Sequence, residues 1–429
     1  MNNLLCIMNE RKLNFIDLFA GAGGLSEGFV RAGLQPIAHV EMNKDACDTI
    51  KTRTAFHHLK EIGELKVYEK YLKDYIDRES LWSYLPENIK DSVINSEISE
   101  KTIPSIFERI NKNLDLNGIS KEDIDFIIGG PPCQAYSVAG RARDPKRMED
   151  DPRNFLYKFY VKFLEEYRPK MFVFENVPGI LSAKNGEYLE KIFKAVEKAG
   201  YELRLPPTSN NSLNSKDFNV LQNRKRVIII GWKKELKLSY PEFNKQENSN
   251  EILRDLFDDL PKLQNGQGTM GVVKYASKAT RYLLENKLRG TFNFVTQHLA
   301  RPTNENDREI YRIAVDLWND GKQRLNYSKL PERLIKHNNV NTFVNRFQVV
   351  DGTGISHTVV AHIAMDGHYY IHPDIHQNRS ISVREAARIQ TFPDDFHFEG
   401  SRTAIFKQIG NAVPVLMAEG IAKKLKTMI

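Results

Sequence analysis

The sequence predicts an α/β fold: an open, doubly wound, mostly parallel sheet, with a second, smaller domain inserted before the last helices. Three observations carry this expectation. Short runs of β-branched and aromatic residues alternate with amphipathic helical stretches up to Trp232. The texture then shifts to Asn, Gln, Lys and Gly with weak periodicity until about residue 378. From there to the end, clear helical patterns return. The expected organisation is a discontinuous first domain, residues 1–232 plus 379–429, and a second domain over 233–378.

The strands read in order as "FIDLFA" (15–20), "PIAHVE" (36–41), "DFIIGG" (125–130), "MFVFENV" (171–177) and "RVIIIGW" (226–232). Strands separated by helices imply a parallel sheet covered on both faces. Between them, "NFLYKFYVKFLEEY" carries one wide apolar stripe through Phe155, Leu156, Phe159, Tyr160, Phe163, Leu164 and Tyr167, and "EYLEKIFKAVEKAG" ends at Gly200 as a helix C-cap would. Near the end, "SVREAARIQ" opens with a Ser382/Glu385 capping box, and Val413, Leu416, Met417, Ile421 and Leu425 line one face of a final helix. The charged stretch "HHLKEIGELKVYEKYLKDYI" is expected to be helical, with Leu59, Ile62, Leu65, Tyr68 and Leu72 facing the body of the protein.

A chain of 429 residues with 41% apolar content can bury a full core. No apolar run approaches the roughly 18 residues of a membrane span, and the N-terminus lacks the long apolar stretch of a signal peptide, which places the protein in the cytoplasm with no membrane partner. Three well-separated cysteines, Cys6, Cys47 and Cys133, argue against a disulfide framework or a cysteine-rich zinc site. The net charge of +7 permits a polyanionic partner. From Lys274 to Arg301 the basic residues Lys274, Lys278, Arg281, Lys287, Arg289 and Arg301 interleave with Tyr275, Tyr282, Phe292, Phe294 and His298, a mixture suited to phosphates and bases or equally to a solvated basic surface. His357, His362, His368, His372 and His376 have spacings that fit no compact ligand set on one element, so no metal site is expected.

Four short stretches carry chemistry. "FIDLFAGAGGLSEGF" runs from a strand through a Gly-rich turn into a helix, which points backbone amides at a ligand on the carboxyl edge of the sheet. Gly21 and Gly23 fit the dinucleotide fingerprint, but its third glycine is replaced by Ser26, which favours a nucleoside over a pyrophosphate ligand. Glu41 ends the second strand, placed to accept hydrogen bonds from ribose hydroxyls. In "IIGGPPCQAYSVAG" (127–140), Pro131 and Pro132 fix two φ angles and hold the Cys133 thiol rigidly at the sheet edge, the setting of a nucleophile. Cys6 and Cys47 read instead as small buried hydrophobes. "FENVPGI" puts the Glu175 carboxylate at the mouth of another strand. "QNRKR" spaces Gln222, Arg224 and Arg226 at every second position, expected on one face and suited to a carbonyl oxygen or phosphate.

Taken together, "DLFAGAGG", "GGPPCQAYS", "ENV", "QNRKR", "SVREAARIQTFPDDF" and "QIGNAVP" resemble, in order and setting, the DNA (cytosine-5)-methyltransferase family of the prokaryotic restriction–modification type, over nearly the whole chain. The resemblance implies a Rossmann-like methyltransferase fold with a target-recognition domain at 233–378, and S-adenosylmethionine as cofactor. It also implies a chemistry. The Cys133 thiolate adds to cytosine carbon 6, Glu175 engages ring nitrogen 3, and Arg226 with Arg224 stabilises the ring carbonyl, so that carbon 5 becomes nucleophilic.

The cofactor residues implied are Phe19, Gly21 and Gly24 of the turn, Glu41 on the ribose, Met42 over the adenine, Glu97 and Ile98 where the family has Asp-Ile, Pro132, and Asn411. Double-stranded DNA is the implied partner, with contacts expected from Gln134, Ser137, Arg141, Gln222, Lys274, Arg281 and Arg289. A cognate restriction endonuclease would act on the same site without a stable complex, and the enzyme is expected to be a monomer. Rival readings are a family member acting on tRNA, a silent nucleic-acid-binding module, and a nicotinamide dehydrogenase. Intact Cys133, Glu175 and Arg226 argue against the silent module, and Ser26 against the dehydrogenase.

A cytosine inside a duplex exposes neither face, so it must leave the stack before Cys133 can reach it. Residues 134–152, polar and without apolar period, are expected to close over it. Limited proteolysis should cut within 134–152 in the free enzyme, and DNA plus cofactor should protect it; equal cutting in both samples would count against that role.

Overall fold

The computed structural model of the protein describes residues 11–132, 155–244, 251–336 and 344–429. Cys133, Gln134, Ser137 and Arg141, with the expected closing segment, lie outside the described residues.

The strands are β1 (Asn14–Leu18), β2 (Gln35–Glu41), β3 (Val93–Asn95), β4 (Ile124–Gly129), β5 (Met171–Asn176), β6 (Tyr201–Arg204), β7 (Leu213–Asn214), β8 (Gln222–Asn223), β9 (Lys225–Lys233), β10 (Gly268–Lys274), β11 (Phe294–Leu299) and β12 (Ser356–His357). The main sheet runs β3-β2-β1-β4-β5-β9-β6, with β7 added beside β9. All five strands read from the sequence are present. From β3 to β5 the pairing is parallel, but β9 is antiparallel to both of its neighbours. The chain passes through β6 one position too far out and then turns back, so β9 fills the gap in the opposite direction.

Both faces of the sheet are covered. One buries Ile16, Ile127, Phe172 and Ile229 beneath the helices Ile103–Asn117, Leu156–Tyr167 and Glu187–Lys198. The other buries Phe15, Phe126, Ile228 and Trp232 beneath the helices Gly24–Arg31 and Val415–Lys426. These last two cross closely at Gly28, where a Cβ would stand 2.3 Å from the Cβ of Ala418 and 2.5 Å from the Glu419 nitrogen. The close-packing glycine expected at position 26 thus sits at 28. Ser26 instead hydrogen-bonds His39 of β2, Oγ to Nε2 at 2.8 Å, and both are buried.

β1 occupies the topological switch point: β2 and β3 extend the sheet on one side of it and β4 on the other. The ligand-binding crevice of such sheets lies at this point, outside the carboxyl ends of the strands. Both the glycine turn after β1 and the Gly130–Pro132 stem after β4 leave the sheet there. The two strands are in tight contact, since a Cβ on Gly129 (φ +151°) would fall 2.1 Å from the Leu18 carbonyl oxygen.

The stretch expected as one charged helix is two, Lys44–Glu61 and Leu65–Leu72, followed by Arg78–Ser83 and Glu87–Asp91. Gly63 (φ +79°) breaks the pattern and turns Ile62 outward to 52% exposure, while Val67 takes the buried place. Leu59, Tyr68 and Leu72 are buried, together with Phe294 of β11. Tyr68 donates to the Asp395 carbonyl and stacks on Phe292. The insertion therefore fastens the sheet to the β10–β11 pair and to the "TFPDDF" segment. The helix Val383–Ile389 begins with the expected Ser382/Glu385 box. Its residues, with Phe392, Phe396 and Ile405, share one core with Leu253, Leu256, Tyr282 and Leu288, so the segment after 379 packs against the inserted residues as well as the sheet.

Burial holds the His39 imidazole neutral, its pKa pushed down from 6.5 to about 4. The unfolded chain protonates this group below 6.5 while the folded chain does not, so its contribution to stability is lost as pH falls from 6.5 towards 4. In urea denaturation, wild-type protein should lose up to about 3 kcal/mol more between pH 7 and 4 than His39→Gln. An identical acid limb for the two proteins would show that His39 does not titrate in this way.

Candidate active site

The first wall of the crevice is the turn after β1. Phe19 (φ +56°), Gly21 (φ +56°) and Gly23 (φ +79°) all take left-handed backbone conformations, which is costly at Phe19 because a Cβ crowds the carbonyl there. Glu41, at the end of β2, holds the turn. Its Oε2 accepts from the Gly21 nitrogen at 2.9 Å and its Oε1 from the Asn43 nitrogen at 2.8 Å, and each oxygen keeps a lone pair for a ligand. Met42 is 62% exposed beside it. Asn95, closing β3, donates to the Glu41 and Met42 carbonyls. Glu97 is exposed at the same edge, whereas Ile98 is buried in the sheet core.

Asp17 escaped the sequence reading. It lies in β1, 1% exposed, and neither carboxylate oxygen has a hydrogen-bond partner. Burial, with Glu41 nearby, pushes its carboxyl well above the usual carboxylate range. The signal was present as the one charge inside the apolar run "FIDLF".

The opposite wall is built from β4, β5 and β9. Glu175 and Arg226 pair with Arg226 Nε 2.7 Å from Glu175 Oε1, both largely buried. The contact is close without being an aligned hydrogen bond, as Nε has no such partner, so the guanidinium retains donor capacity. Gly130 leans on this pair: a Cβ there would fall 2.5 Å from Glu175 Oε2. Asn176 Nδ2 donates to the Pro131 carbonyl at 3.2 Å. The double glycine and the Asn of "ENV" therefore hold the stem of Cys133 against the Glu175–Arg226 pair, a role the sequence alone did not assign.

Four expectations are corrected by packing. Gln222, Arg224 and Arg226 do not share one face, because the strand is interrupted between β8 and β9 at Arg224. Arg224 is fully buried and donates to the carbonyls of Val359, Gly410 and Ala412, which makes it a positioning residue in place of a ligand for a substrate oxygen. Gln222, expected to touch DNA, is likewise fully buried, bonded to Ile389 O, Gln390 and Val359 N. Gly24, expected at the cofactor, also has a packing role, since a Cβ would stand 2.5 Å from the Val413 carbonyl. Arg289 is occupied by Asp259 at 2.7 Å and lies 3.4 Å over the Tyr275 ring, so it is not free for phosphate. Lys274 and Arg281 are exposed, Arg281 with Glu285 at 2.7 Å. Asn411 is exposed at the end of the helix Arg402–Asn411. Among the described residues no group of three or more His, Cys, Asp or Glu side chains converges as a metal site would.

A glycine turn braced by a carboxylate, together with a rigid stem beside a carboxylate–guanidinium pair, at the switch point of a doubly wound sheet is the setting of an enzyme site of the open α/β class. The chain matches the family model for C-5 cytosine-specific DNA methylase over residues 13–78 and 79–427, and it belongs to that family. It is 42% identical over 448 aligned positions to the type II methyltransferase M.Bpa9945I of Bacillus paralicheniformis, covering 96% of this chain and 98% of the relative. It is 31% identical over 418 positions to the type II methyltransferase M.XorII of Xanthomonas oryzae pv. oryzae, covering 96% and 84%. Among solved structures, a DNA modification methyltransferase encoded within an E. coli prophage shares the fold with a TM-score of 0.62 at 24% identity, over 97% of this chain and 99% of the other. The protein is accordingly a DNA (cytosine-5)-methyltransferase of the prokaryotic restriction–modification type. No helix among the described residues is long and apolar enough to cross a membrane.

Proposed function

We propose that the protein methylates carbon 5 of cytosine within one specific double-stranded DNA sequence, after Cys133 adds to carbon 6 of a flipped-out base, and that it protects host DNA from a restriction endonuclease acting on the same site. The observation that carries this is the stem geometry: Gly130 and Pro131 are held against Glu175 and Asn176, with Arg226 2.7 Å from Glu175. Cys133 follows Pro132 directly in the sequence, and this supports a role for the Glu175–Arg226 pair in its chemistry.

In this reading Glu175 presents its carboxyl to ring nitrogen 3 and supplies or holds a proton there as the thiolate adds. The Arg226 guanidinium donates to the ring carbonyl oxygen, where negative charge grows. Arg224 holds the strand entry so that Arg226 faces Glu175. Carbon 5 of the resulting enamine is the methyl acceptor, and loss of its proton expels the Cys133 thiolate.

S-adenosylmethionine fits the other wall and supplies the methyl group when bound. Glu41 has acceptors to spare for ribose hydroxyls, Phe19, Gly21 and Pro132 border the crevice, and Met42 is free to cover an adenine, with Glu97 and Asn411 at the rim. The unpartnered Asp17 carboxyl is the buried acid that a cationic group of the cofactor would pair with. Lys274 and Arg281 are available to DNA phosphates. The enzyme would act in the cytoplasm as a monomer, sharing its recognition site with the nuclease and forming no stable complex with it.

Bisulfite sequencing of DNA from a methylation-free host expressing the protein should show full 5-methylcytosine at one sequence, and none with Cys133→Ala. Methylation persisting in that variant would refute the nucleophile. Asp17→Asn should unfold as cooperatively as wild type in urea, yet bind S-adenosylmethionine roughly tenfold or more weakly by calorimetry. Equal affinity would remove Asp17 from the cofactor site.

A further inference from the structure

One segment of the inserted region is held more rigidly than its solvent position requires. The stretch Thr358–Met365 contains the short 3-10 turn Ala361–Ala364, and its backbone is pinned from several directions. The Val359 nitrogen donates to Gln222 Oε1 at 2.8 Å, and its carbonyl accepts from Arg224. The Val360 nitrogen donates to the Tyr370 hydroxyl at 3.0 Å, and Thr358 Oγ1 donates to the Asn223 carbonyl at 2.7 Å. Arg301 reaches in from the basic run and donates to the carbonyls of Ile363 and Ala364, at 3.1 and 3.0 Å, and of Met365. At Gly410 the turn touches the next helix so closely that a Cβ would lie 2.4 Å from the Ala361 nitrogen.

Against this fixed backbone, two apolar side chains stand in solvent: Val360, 40% exposed, and Met365, 63% exposed. Exposed single apolar residues are ordinary on any surface. Two of them flanking a clamped turn are less so, because nothing in the fold requires that turn to be stiff. Its place completes the argument. The turn rests on Asn223 and Arg224, two residues before Arg226 of the catalytic pair, and on Gly410, next to Asn411 at the rim of the crevice.

The macromolecule on which the family acts is DNA. A duplex that releases one base leaves an apolar gap between stacked neighbours, and proteins that unstack base steps insert rigid apolar side chains to fill it. A wedge lowers the cost of unstacking only if it is already ordered before it enters, which is the property that Arg224, Gln222, Tyr370 and Arg301 give this turn. We propose that Val360 and Met365 form the apolar wedge that enters the duplex where the target cytosine leaves it, and that Arg301 is the positioning residue that keeps the wedge stiff. Arg301 belongs to the basic run that the sequence pointed towards phosphates, but its guanidinium faces protein carbonyls.

This inference rests on the reading that the cytosine is flipped, and the test separates the two. In the sequence identified by bisulfite mapping, 2-aminopurine replaces the target cytosine, so that its fluorescence rises when the base leaves the stack. Wild-type enzyme and Ile62→Ala, an exposed apolar site remote from the turn, should give the full rise. The double variant Val360→Ala/Met365→Ala should give a rise reduced roughly tenfold.

Methylation of the matched duplex should fall in parallel, and should recover to within about threefold of wild type when the base opposite the target cytosine is abasic, because little stacking then remains to be replaced. Recovery on that duplex also demonstrates a folded, catalytically intact variant. Arg301→Gln should show the same pattern more weakly. No rise with wild-type enzyme would overturn flipping and the wedge together. A wild-type rise with an unchanged double variant, or equal losses on matched and abasic duplexes, would overturn the wedge alone.

Discussion

The buried guanidinium of Arg224 is the interaction on which the rest of the site depends. A charged group taken wholly out of water is tolerated only where hydrogen bonds compensate it, and here three carbonyls accept from Nη1 and Nη2: Val359 from the inserted region, and Gly410 and Ala412 from the segment before the last helix. Three stretches far apart in sequence are thereby drawn to one point. That point is the entry of β9, so one side chain links the approach of Arg226 to Glu175, the segment before Asn411 and the Val360 turn, which Gln222, Tyr370 and Arg301 pin as well.

The same device is used again a short distance away. Arg388 is fully buried between Asp259 and Asp394, Arg379 makes a bidentate pair with Glu385, and Arg384 donates to the carbonyls of Thr296 and Phe396. Arg53 joins Glu27 to Asp395 across the insertion. Burial works to raise the Glu27 carboxyl, but Arg53, aided by His57, overrides it and holds the group well below the usual carboxylate range. Pairs of this kind add little net stability compared with an apolar core, yet losing one partner strands a buried charge. Their effect in this protein is registration, since Arg388, Arg384 and Arg53 each fix an inserted segment against the segment after 379 or against the sheet.

Much of the sheet was legible in advance because its signals are local. β1, β2, β4, β5 and β9 are continuous apolar runs with turn residues at their ends, and the Ser382/Glu385 box is a three-residue pattern with one structural meaning. The failures have a common origin. The "QNRKR" spacing suggested one face, but the strand breaks at Arg224, which is pulled inward by carbonyls that no local pattern reveals. Gly24 and Gly130 were legible as glycines of a turn and of a double-glycine end; that one makes room for Val413 and the other for the Glu175 carboxylate depends on the approach of distant backbone. Ile62 was misread because one glycine, Gly63, resets the helical phase.

By itself the sequence singled out the candidate residues for the chemistry and the order in which the chain presents them, since a cysteine after two prolines, a carboxylate at a strand end and a glycine turn are each set by neighbours in the chain. Only the tertiary structure decided which polar groups remain available to a substrate. Arg224, Arg289, Arg301 and Gln222 are as polar in sequence as Arg226 and Lys274, and they were removed from that list because buried carbonyls, carboxylates and an aromatic face claim their donors. Asp17 stands out for the opposite reason: the fold buries its carboxyl and gives it no hydrogen-bond partner.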